Sequence, residues 1–368
     1  MPDPTDDRLG RLRAAMRTRG VDALLVGPSA DLRYLVGYHA LPLERLTLLV
    51  VPADGPAALV VPELEEPRAV DSGAAAHADL VTWSETEDPI ARVVDRLQVA
   101  GIDLRGTFAL QDRLWTSFTL ALQAAIGGAS WVPGSSVMRD LRLIKTPAEV
   151  EALREVGAAI DAVHAVVPDL LRAGRTEAEV GRDIADRILE DHDEVNFVIV
   201  ASGPNGASPH HETGDRVLEV GDAVVVDIGG TRAGYCSDST RDYAIGHLPD
   251  GYAELHAVLE RAQDLAVDAV RPGAPAEAID AAARDHITAA GYGERFVHRT
   301  GHGIGVEEHE EPWIVAGNDE PVAAGMAFSI EPGIYVPGRY GSRIEDIVVV
   351  TDTGVERVNH RPREVVVV

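Results

Sequence analysis

The sequence predicts two domains: an α/β domain over residues 1–142, then an α+β domain over residues 143–368 whose two halves share one layout. Three observations carry this. The chain has 368 residues, more than the ~100–200 of a usual domain. Up to about residue 142, short strand-like runs alternate with helical ones, as in an α/β unit. Beyond that point the order helix, helix, hairpin occurs twice, which places two similar halves about a pseudo-two-fold axis even though little sequence identity links them.

In the first domain a helix is predicted from Asp6 to Arg19, stopping at Gly20. Apolar runs Ala23–Val26, Leu46–Val51 and Ala57–Val61 read as strands, the last two flanking an Ala53-Asp54-Gly55 turn. Ile90–Val99 and Ser117–Ile126 have helical spacing, and Phe108–Leu110 is strand-like. No glycine-rich phosphate loop, histidine cluster or carboxylate pair occurs here, so a structural or substrate-gating role is expected. In the second domain Thr146-Pro147-Ala148-Glu149 reads as a capping box with proline at the first helical position. It opens a helix expected to reach about Arg172 and stop at Gly174. Thr176 to Glu179 repeats the box for a helix to about Leu189. Strand-rich stretches follow at Val195–Ala201, Ala223–Asp227 and Gly234–Ile245. Helices are then expected at Tyr252–Val270 and Pro275–Ala290, followed by strands within Gly325–Val336 and Ser342–Val350.

Lys and Arg number 33 against 60 Asp and Glu, a formal charge of −27. Such a surplus repels phosphate backbones and anionic membranes, so no nucleic acid and no membrane is expected as a partner. Hydrophobic residues at 45% and charged residues at 25% are ordinary globular usage, which makes the acidity a surface property. Cys236 is the single cysteine, excluding an intramolecular disulfide. Together with a first stretch that lacks the apolar run of a secretory signal, it sets the expectation of a cytoplasmic protein.

Chemistry concentrates in the second domain. Asp227 closes the apolar run Val224–Val226, and Asp238 follows Gly229, Gly230 and Gly234. A hairpin centred between Arg232 and Ala233 would set the two aspartates opposite each other. Glu331 and Glu345 have their midpoint at Gly338 and are predicted to face each other across a second hairpin. Bare carboxylates this close raise one another's pKa and do not all ionise unless cations lie between them. His302 is a fifth ligand candidate, its neighbours Gly301 and Gly303 permitting close approach. Two divalent cations balance four carboxylates, and an oxygen-rich set with one imidazole suits Mn²⁺, Co²⁺, Zn²⁺ or Fe²⁺. Two such ions roughly 3.5–4 Å apart can hold a hydroxide between them and polarise a carbonyl, which points to hydrolysis.

The strings Asp227-Ile-Gly-Gly-Thr-Arg-Ala-Gly-Tyr-Cys-Ser-Asp238-Ser-Thr-Arg241, Gly301-His302-Gly-Ile-Gly, Ser329-Ile-Glu331-Pro-Gly-Ile-Tyr and Arg343-Ile-Glu345-Asp resemble those of the pita-bread metallopeptidases (M24), in the prolidase and aminopeptidase P branch. The resemblance covers the whole chain and implies a creatinase-like α/β domain ahead of a pita-bread catalytic domain. It implies that Asp227 binds one metal ion, that His302 and Glu331 bind the other, and that Asp238 and Glu345 bridge them. Glu331 would also act as the general base. His210 matches the family histidine that positions the scissile amide, and His309 the one that stabilises the oxyanion. Arg343 would hold a substrate carboxylate or order the site's own carboxylates. The resemblance further implies two divalent ions per subunit, Mn²⁺ first among them, a proline-containing di- or oligopeptide substrate, and a homodimer.

Two positions depart from the branch pattern. Asp242 stands where threonine is usual, and Glu308 where an apolar residue often precedes the second histidine. His164, His192, His256, His286 and His298 are read as packing or surface residues, and Cys236 as a packed thiol. The expected activity is hydrolysis of the bond preceding proline by a metal-bridging hydroxide, as an Xaa-Pro dipeptidase or an Xaa-Pro aminopeptidase. The alternatives are a hydrolase of a small non-peptide amide on the same fold and an inactive peptide-binding module.

Overall fold

Asp7 caps the first helix through its side chain, and the computed structural model describes residues 7–368. The predicted start at Asp6 lies outside the described residues. The chain divides into two compact units, Met1–Arg142 and Leu143–Val368.

The first unit runs α1 (Arg8–Arg19), β1 (Ala23–Val26), α2 (Ala30–Val36), β2 (Leu48–Pro52), β3 (Ala58–Pro62), α3 (Glu66–Asp71), β4 (Asp79–Trp83), α4 (Pro89–Val99), β5 (Thr107–Leu110), α5 (Thr116–Ala125), β6 (Ser130–Pro133) and α6 (Ser135–Arg142). Its sheet has the order β4-β3-β2-β1-β5-β6. β2 lies antiparallel to both β1 and β3, and the other pairings are parallel. Leu25, Leu48, Val50, Val60, Phe108 and Leu122 form its core. The outer strands β4 and β6 are mostly half-buried or exposed and carry polar residues. That composition is usual for sheet edges, and it left both strands without an alternation to read.

The second unit runs α7 (Pro147–Leu170), α8 (Glu177–Ile188), β7 (Glu194–Ser202), β8 (Ala223–Arg232), β9 (Tyr235–Cys236), β10 (Ser239–Ala244), α9 (Tyr252–Ala269), α10 (Ala276–Ala289), β11 (Gly301–Gly303), β12 (Glu310–Ile314), β13 (Ala327–Ile330), β14 (Gly333–Val336), β15 (Tyr340–Arg343), β16 (Asp346–Val350), β17 (Val355–Arg357) and β18 (Val366–Val367). Both capping boxes form, with Thr146 and Glu149 on α7 and Thr176 and Glu179 on α8 exchanging hydrogen bonds. α7 ends at Leu170, short of Arg172, and Pro168 in its last turn has no N–H to donate. The His164 carbonyl freed by that proline lies 3.3 Å from the Tyr243 hydroxyl instead.

The two halves repeat in backbone detail. In the first half, Gly174 N donates to Leu218 O, Leu218 N to Arg175 O, and Glu177 N to Arg216 O. In the second half, Gly273 N donates to Val322 O, Val322 N to Ala274 O, and Ala276 N to Glu320 O. The helix-to-helix connection is thus stitched to the following strand region by the same three bonds in each half. α7 and α8 cover one face of a sheet of order β18-β10-β8-β7, burying Ile160, Val180, Ile184, Val224, Val226 and Ile228. α9 and α10 cover a sheet of order β12-β11-β13-β16-β17, burying Leu259, Ile279, Ala283, Phe328, Ile330 and Val348. Successive strand residues point to opposite faces. Asp227, between Val226 and Ile228, therefore points away from the helices, as does Ser329 between Phe328 and Ile330.

The register of the first hairpin differs from expectation. Thr231 pairs with Cys236 and Arg232 with Tyr235, so the turn is centred between Ala233 and Gly234 rather than between Arg232 and Ala233. Both turn residues have positive φ, 49° and 86°, as a two-residue hairpin turn of type I′ requires. Asp227 pairs with Thr240, which makes Asp238 its diagonal neighbour. Diagonal positions still share a face. In the second hairpin Gly333 pairs with Arg343 and Val336 with Tyr340, centring it on Gly338 as the spacing predicts.

Candidate active site

The residues singled out from the sequence surround one cavity of about 560 Å³, lined by Asp227, Asp238, His302, Glu331, Glu345, His210, His309 and Arg343 together with Phe197, Ile199, Pro209, His298, Arg299 and Glu308. β8 supplies Asp227, and Asp238 lies just before β10. β11 supplies His302, and Glu331 follows β13. Glu345 sits between β15 and β16, bridged to Thr240. One donor atom each from Asp227, Asp238 and Glu345 falls within a mutual 4.8 Å, and the same holds for His302, Glu331 and Glu345 and for Asp238, His302 and His309.

The glycines around His302 are dictated by packing. A Cβ on Gly301 would lie 1.8 Å from the Ser329 carbonyl oxygen, and one on Gly303 would lie 2.2 Å from that of Glu311. No side chain fits either position, so His302 sits deep between β12 and β13. Its Nδ1 is 3.1 Å from the Gly303 carbonyl. That contact assigns the ring proton to Nδ1 and leaves the Nε2 lone pair for a cation. Nε2 is 3.2 Å from Glu331 Oε1 and 3.7 Å from Asp238 Oδ2. The carboxylates are oriented in turn: Ser329 Oγ donates to Glu331 at 3.0 Å, and Thr240 Oγ1 to Glu345 at 2.7 Å.

The electrostatics show crowded, buried negative charge. Burial, then the carboxylates of Glu345 and Asp227, push Asp238 well above the usual carboxylate range. Burial, then Glu331 and Asp227, do the same to Glu345. Glu331 is opposed most by burial, yet the hydrogen bond and charge of His302, with His298 and Arg343, hold it below its ordinary value. Among the described residues, Oδ1 of Asp227 and Oδ1 of Asp238 are buried without a hydrogen-bond partner. A buried acceptor left unpaired is costly, and an oxygen-rich cluster with one imidazole suits hard or borderline divalent cations. These residues fit a pair of such ions.

Arg343 is occupied by the site itself. Its Nη2 donates to Asp227 Oδ2 at 2.6 Å, Nη1 to Tyr335 Oη at 2.9 Å and to the Pro209 carbonyl at 3.1 Å, and Nε to Thr240 Oγ1 at 3.2 Å. Of its two expected roles, ordering the carboxylates is the one this geometry serves. The adjacent histidines also separate. His210 is exposed to the cavity, whereas His211 donates to the buried Glu177 at 2.8 Å. His309 packs edge-on to His302 with ring centroids 4.1 Å apart. Burial, then the charges of His302 and Arg299, push it down to about 4.

The cavity has members the sequence reading did not single out. His298, read as a packing residue, lines it and lies 2.8 Å from the Tyr335 hydroxyl. Phe197 and Ile199 on β7 pair with Gly229 and Asp227, so pairing β7 with β8 would have revealed their shared face. Arg299 lines it with its guanidinium over the Trp313 ring, 4.3 Å from the centroid. Cys236 is buried 3.6 Å from Thr231 Oγ1 and is not among the lining residues. Asp242 accepts from Ser342 Oγ at 2.5 Å and lies 3.2 Å from His256, a buried cluster behind Arg343. No helix among the described residues is long and apolar enough to cross a membrane.

Residues 151–352 match metallopeptidase family M24, and residues 8–144 match the creatinase/prolidase N-terminal domain. An Xaa-Pro dipeptidase of Lactobacillus helveticus is 34% identical over 98% of both chains. The crystal structure of dipeptidase PepE from Mycobacterium ulcerans superposes with a TM-score of 0.91 at 51% identity, covering 98% of this chain and 96% of that one. A recombinant prolidase from Thermococcus sibiricus superposes with a TM-score of 0.94 at 34% identity over the whole of both chains. With its pita-bread catalytic domain behind a creatinase-type N-terminal domain, the chain belongs to metallopeptidase family M24.

Proposed function

We propose that this protein hydrolyses the peptide bond preceding proline, using two divalent cations held by Asp227, Asp238, His302, Glu331 and Glu345. The observation that carries the reading is the pair of orphaned buried oxygens on Asp227 and Asp238, inside a carboxylate cluster in which burial and then neighbouring carboxylates push Asp238 and Glu345 upward. Relatives named Xaa-Pro dipeptidase and prolidase support the substrate class. Bound there, the cations would polarise the scissile carbonyl and make water nucleophilic at neutral pH.

The chain's own residues do the rest. Glu331, ionised at neutral pH, takes the proton of the attacking water. His309, neutral above about pH 4, directs an N–H at the developing oxyanion. His210 orients the scissile amide from the open side of the cavity. Arg343 pins Asp227, so that the ligand set is preorganised. A tertiary amide before proline has no N–H to anchor, so orientation must come from such shape and charge.

We take Mn²⁺ as the native ion, with Co²⁺, Zn²⁺ or Fe²⁺ as substitutes, and a homodimer as the assembly. The lone buried cysteine accords with a cytoplasmic, reducing compartment. The test is hydrolysis of Ala-Pro, Ala-Pro-Ala and Ala-Ala by chelator-stripped protein with and without Mn²⁺ or Co²⁺. Metal-dependent cleavage of the proline peptides is expected. Absence of cleavage with every metal refutes the reading.

A further inference from the structure

Three residues of the cavity lining, Phe197, Ile199 and Glu308, have no part in the chemistry above. Phe197 and Ile199 lie on β7 opposite Gly229 and Asp227. A Cβ at Gly229 would stand 2.5 Å from Cε1 of Phe197, so the ring fills space that the glycine leaves open. Asn196, between Val195 and Phe197, is the extra residue of a β-bulge, an irregularity that re-aims a side chain. Its Oδ1 accepts from Thr231 Oγ1 at 2.8 Å. That leaves Nδ2 to donate, and the group it reaches is the Glu308 carboxylate.

Glu308 is thus a half-buried carboxylate tied beside an apolar wall by a neutral donor. Burial pushes its pKa up, and the Asn196 hydrogen bond opposes that shift. Among the described residues no lysine or arginine pairs with it; the neighbouring charge of Glu307 has the same sign. A carboxylate withdrawn from water without a counter-charge is poorly compensated, and a cation brought to it gains more than at an open surface. The next residue, His309, packs on His302, so Glu308 borders the candidate metal cluster. In an Xaa-Pro substrate the Xaa Cα is one bond, about 1.5 Å, from the scissile carbonyl carbon. The Xaa side chain therefore enters the cavity beside that cluster.

We propose that Glu308, with Phe197 and Ile199, forms a subsite for a long cationic side chain, lysine or arginine, on the residue preceding proline. The proposal rests on the Xaa-Pro reading above and names the substrate class within it. An extended lysine carries its ammonium about 6 Å from Cα. Its methylenes lie against the two apolar side chains and its charged head meets the carboxylate, the division that amphipathic side chains favour. An acidic side chain entering the same subsite is repelled. The preference is a property of this chain, since an apolar residue is usual at the position of Glu308.

The experiment compares Lys-Pro with norleucyl-Pro, which keeps the lysine stem and lacks its ammonium, using the full chain loaded with Mn²⁺. Wild-type protein should prefer Lys-Pro by roughly ten- to hundredfold in kcat/KM, with Glu-Pro slower than either. Glu308→Gln should bring the Lys-Pro to norleucyl-Pro ratio toward one, and Glu308→Asp should retain part of it. Glu308→Val should turn the preference toward norleucyl-Pro, and it carries the same test should Glu308→Gln fail to fold. Equal rates for the two substrates in the wild type, or an unchanged ratio in Glu308→Gln, overturn the proposal. So does an equal loss on both substrates in Glu308→Gln, because the carboxylate would then serve the α-ammonium that they share. If the wild type cleaves neither these substrates nor Ala-Pro with any metal, the Xaa-Pro reading itself fails and the proposal falls with it. Cleavage of Ala-Pro without a preference for Lys-Pro over norleucyl-Pro removes only the subsite at Glu308.

Discussion

Replacing Glu177 by glutamine should unfasten the loop that carries His210. Glu177 is fully buried at the start of α8. Its Oε1 accepts from Ser202 N at 2.8 Å, Ser202 Oγ at 2.6 Å and Asn205 Nδ2 at 3.1 Å. Its Oε2 accepts from His211 Nε2 at 2.8 Å and Gly214 N at 3.4 Å. Both ends of the loop are therefore tied to one carboxylate. An amide turns one of these oxygens into a donor, and the backbone N–H groups of Ser202 and Gly214 cannot exchange roles. At least two bonds to a charged acceptor are lost whichever way the amide faces. At ~1.5–3 kcal/mol each, the cost is about 3–6 kcal/mol. For a unit of this size that lowers Tm by roughly 6–24 °C, read by calorimetry at pH 7.

The pH dependence fixes the cause. Burial is the largest influence on Glu177 and raises its pKa, but hydrogen bonds from Ser202, His211 and Asn205 together outweigh it and hold it below the ordinary value. A carboxylate depressed on folding contributes stability above its unfolded pKa of ~4.3, and that stability is lost as pH falls through the folded value. The gap between wild type and Glu177→Gln should thus be widest at neutral pH and shrink on acidification below about pH 4. Activity should fall about tenfold or more below the melting range as His210 loses its placement. A Tm change under about 2 °C, or a gap that widens in acid, refutes the reasoning.

Glu331→Gln should lower kcat by roughly 10²–10⁴ if this carboxylate takes the water proton; steady-state rates on Ala-Pro check it, and near wild-type turnover denies the role. Lys145 and Glu310 form a buried pair at 2.7 Å. Lys145→Met should therefore cost about 3–5 kcal/mol in urea unfolding, and Lys145→Met with Glu310→Gln should recover much of it. His164 is fully buried with Nε2 3.0 Å from the Ser239 carbonyl, and burial, then the charge of Arg241, pushes its pKa down to about 3. Between that value and ~6.5 the unfolded chain binds a proton the native state refuses, so stability should fall with acidification by up to ~1.4 kcal/mol per pH unit. His164→Asn should flatten that slope, as measured by urea titrations from pH 7 to pH 4.

What could be read from the sequence follows the range of the interactions. The capping boxes at Thr146 and Thr176 are three-residue patterns and formed as written. The second hairpin was legible because Pro337 and Gly338 announce its turn. The first was misplaced because its turn puts an alanine, Ala233, at a positive φ, where glycine or asparagine is the usual signal. α7 ended at Leu170, ahead of Gly174, the glycine that marked its expected stop. His298 and Arg299 were passed over because their partners, Tyr335 and Trp313, are distant in sequence and meet them only through the sheet. The strands β4 and β6 were missed because half-exposed edges do not alternate.

The repeated stitching of the two halves has a consequence for how the cluster comes into being. One half contributes Asp227 and Asp238, the other His302, Glu331 and Glu345, and the Thr240–Glu345 bridge joins them. Neither half alone owns the complete set of proposed ligands, so high-affinity loading of such a set would require both to be folded and closed on each other. Closing them brings anions together against their repulsion, and a cation is what makes that closure favourable. On the proposed ligand assignment, metal content would serve as a gauge of the joint between the halves: a substitution at that joint, far from any ligand, should register as lost metal before it registers as lost secondary structure.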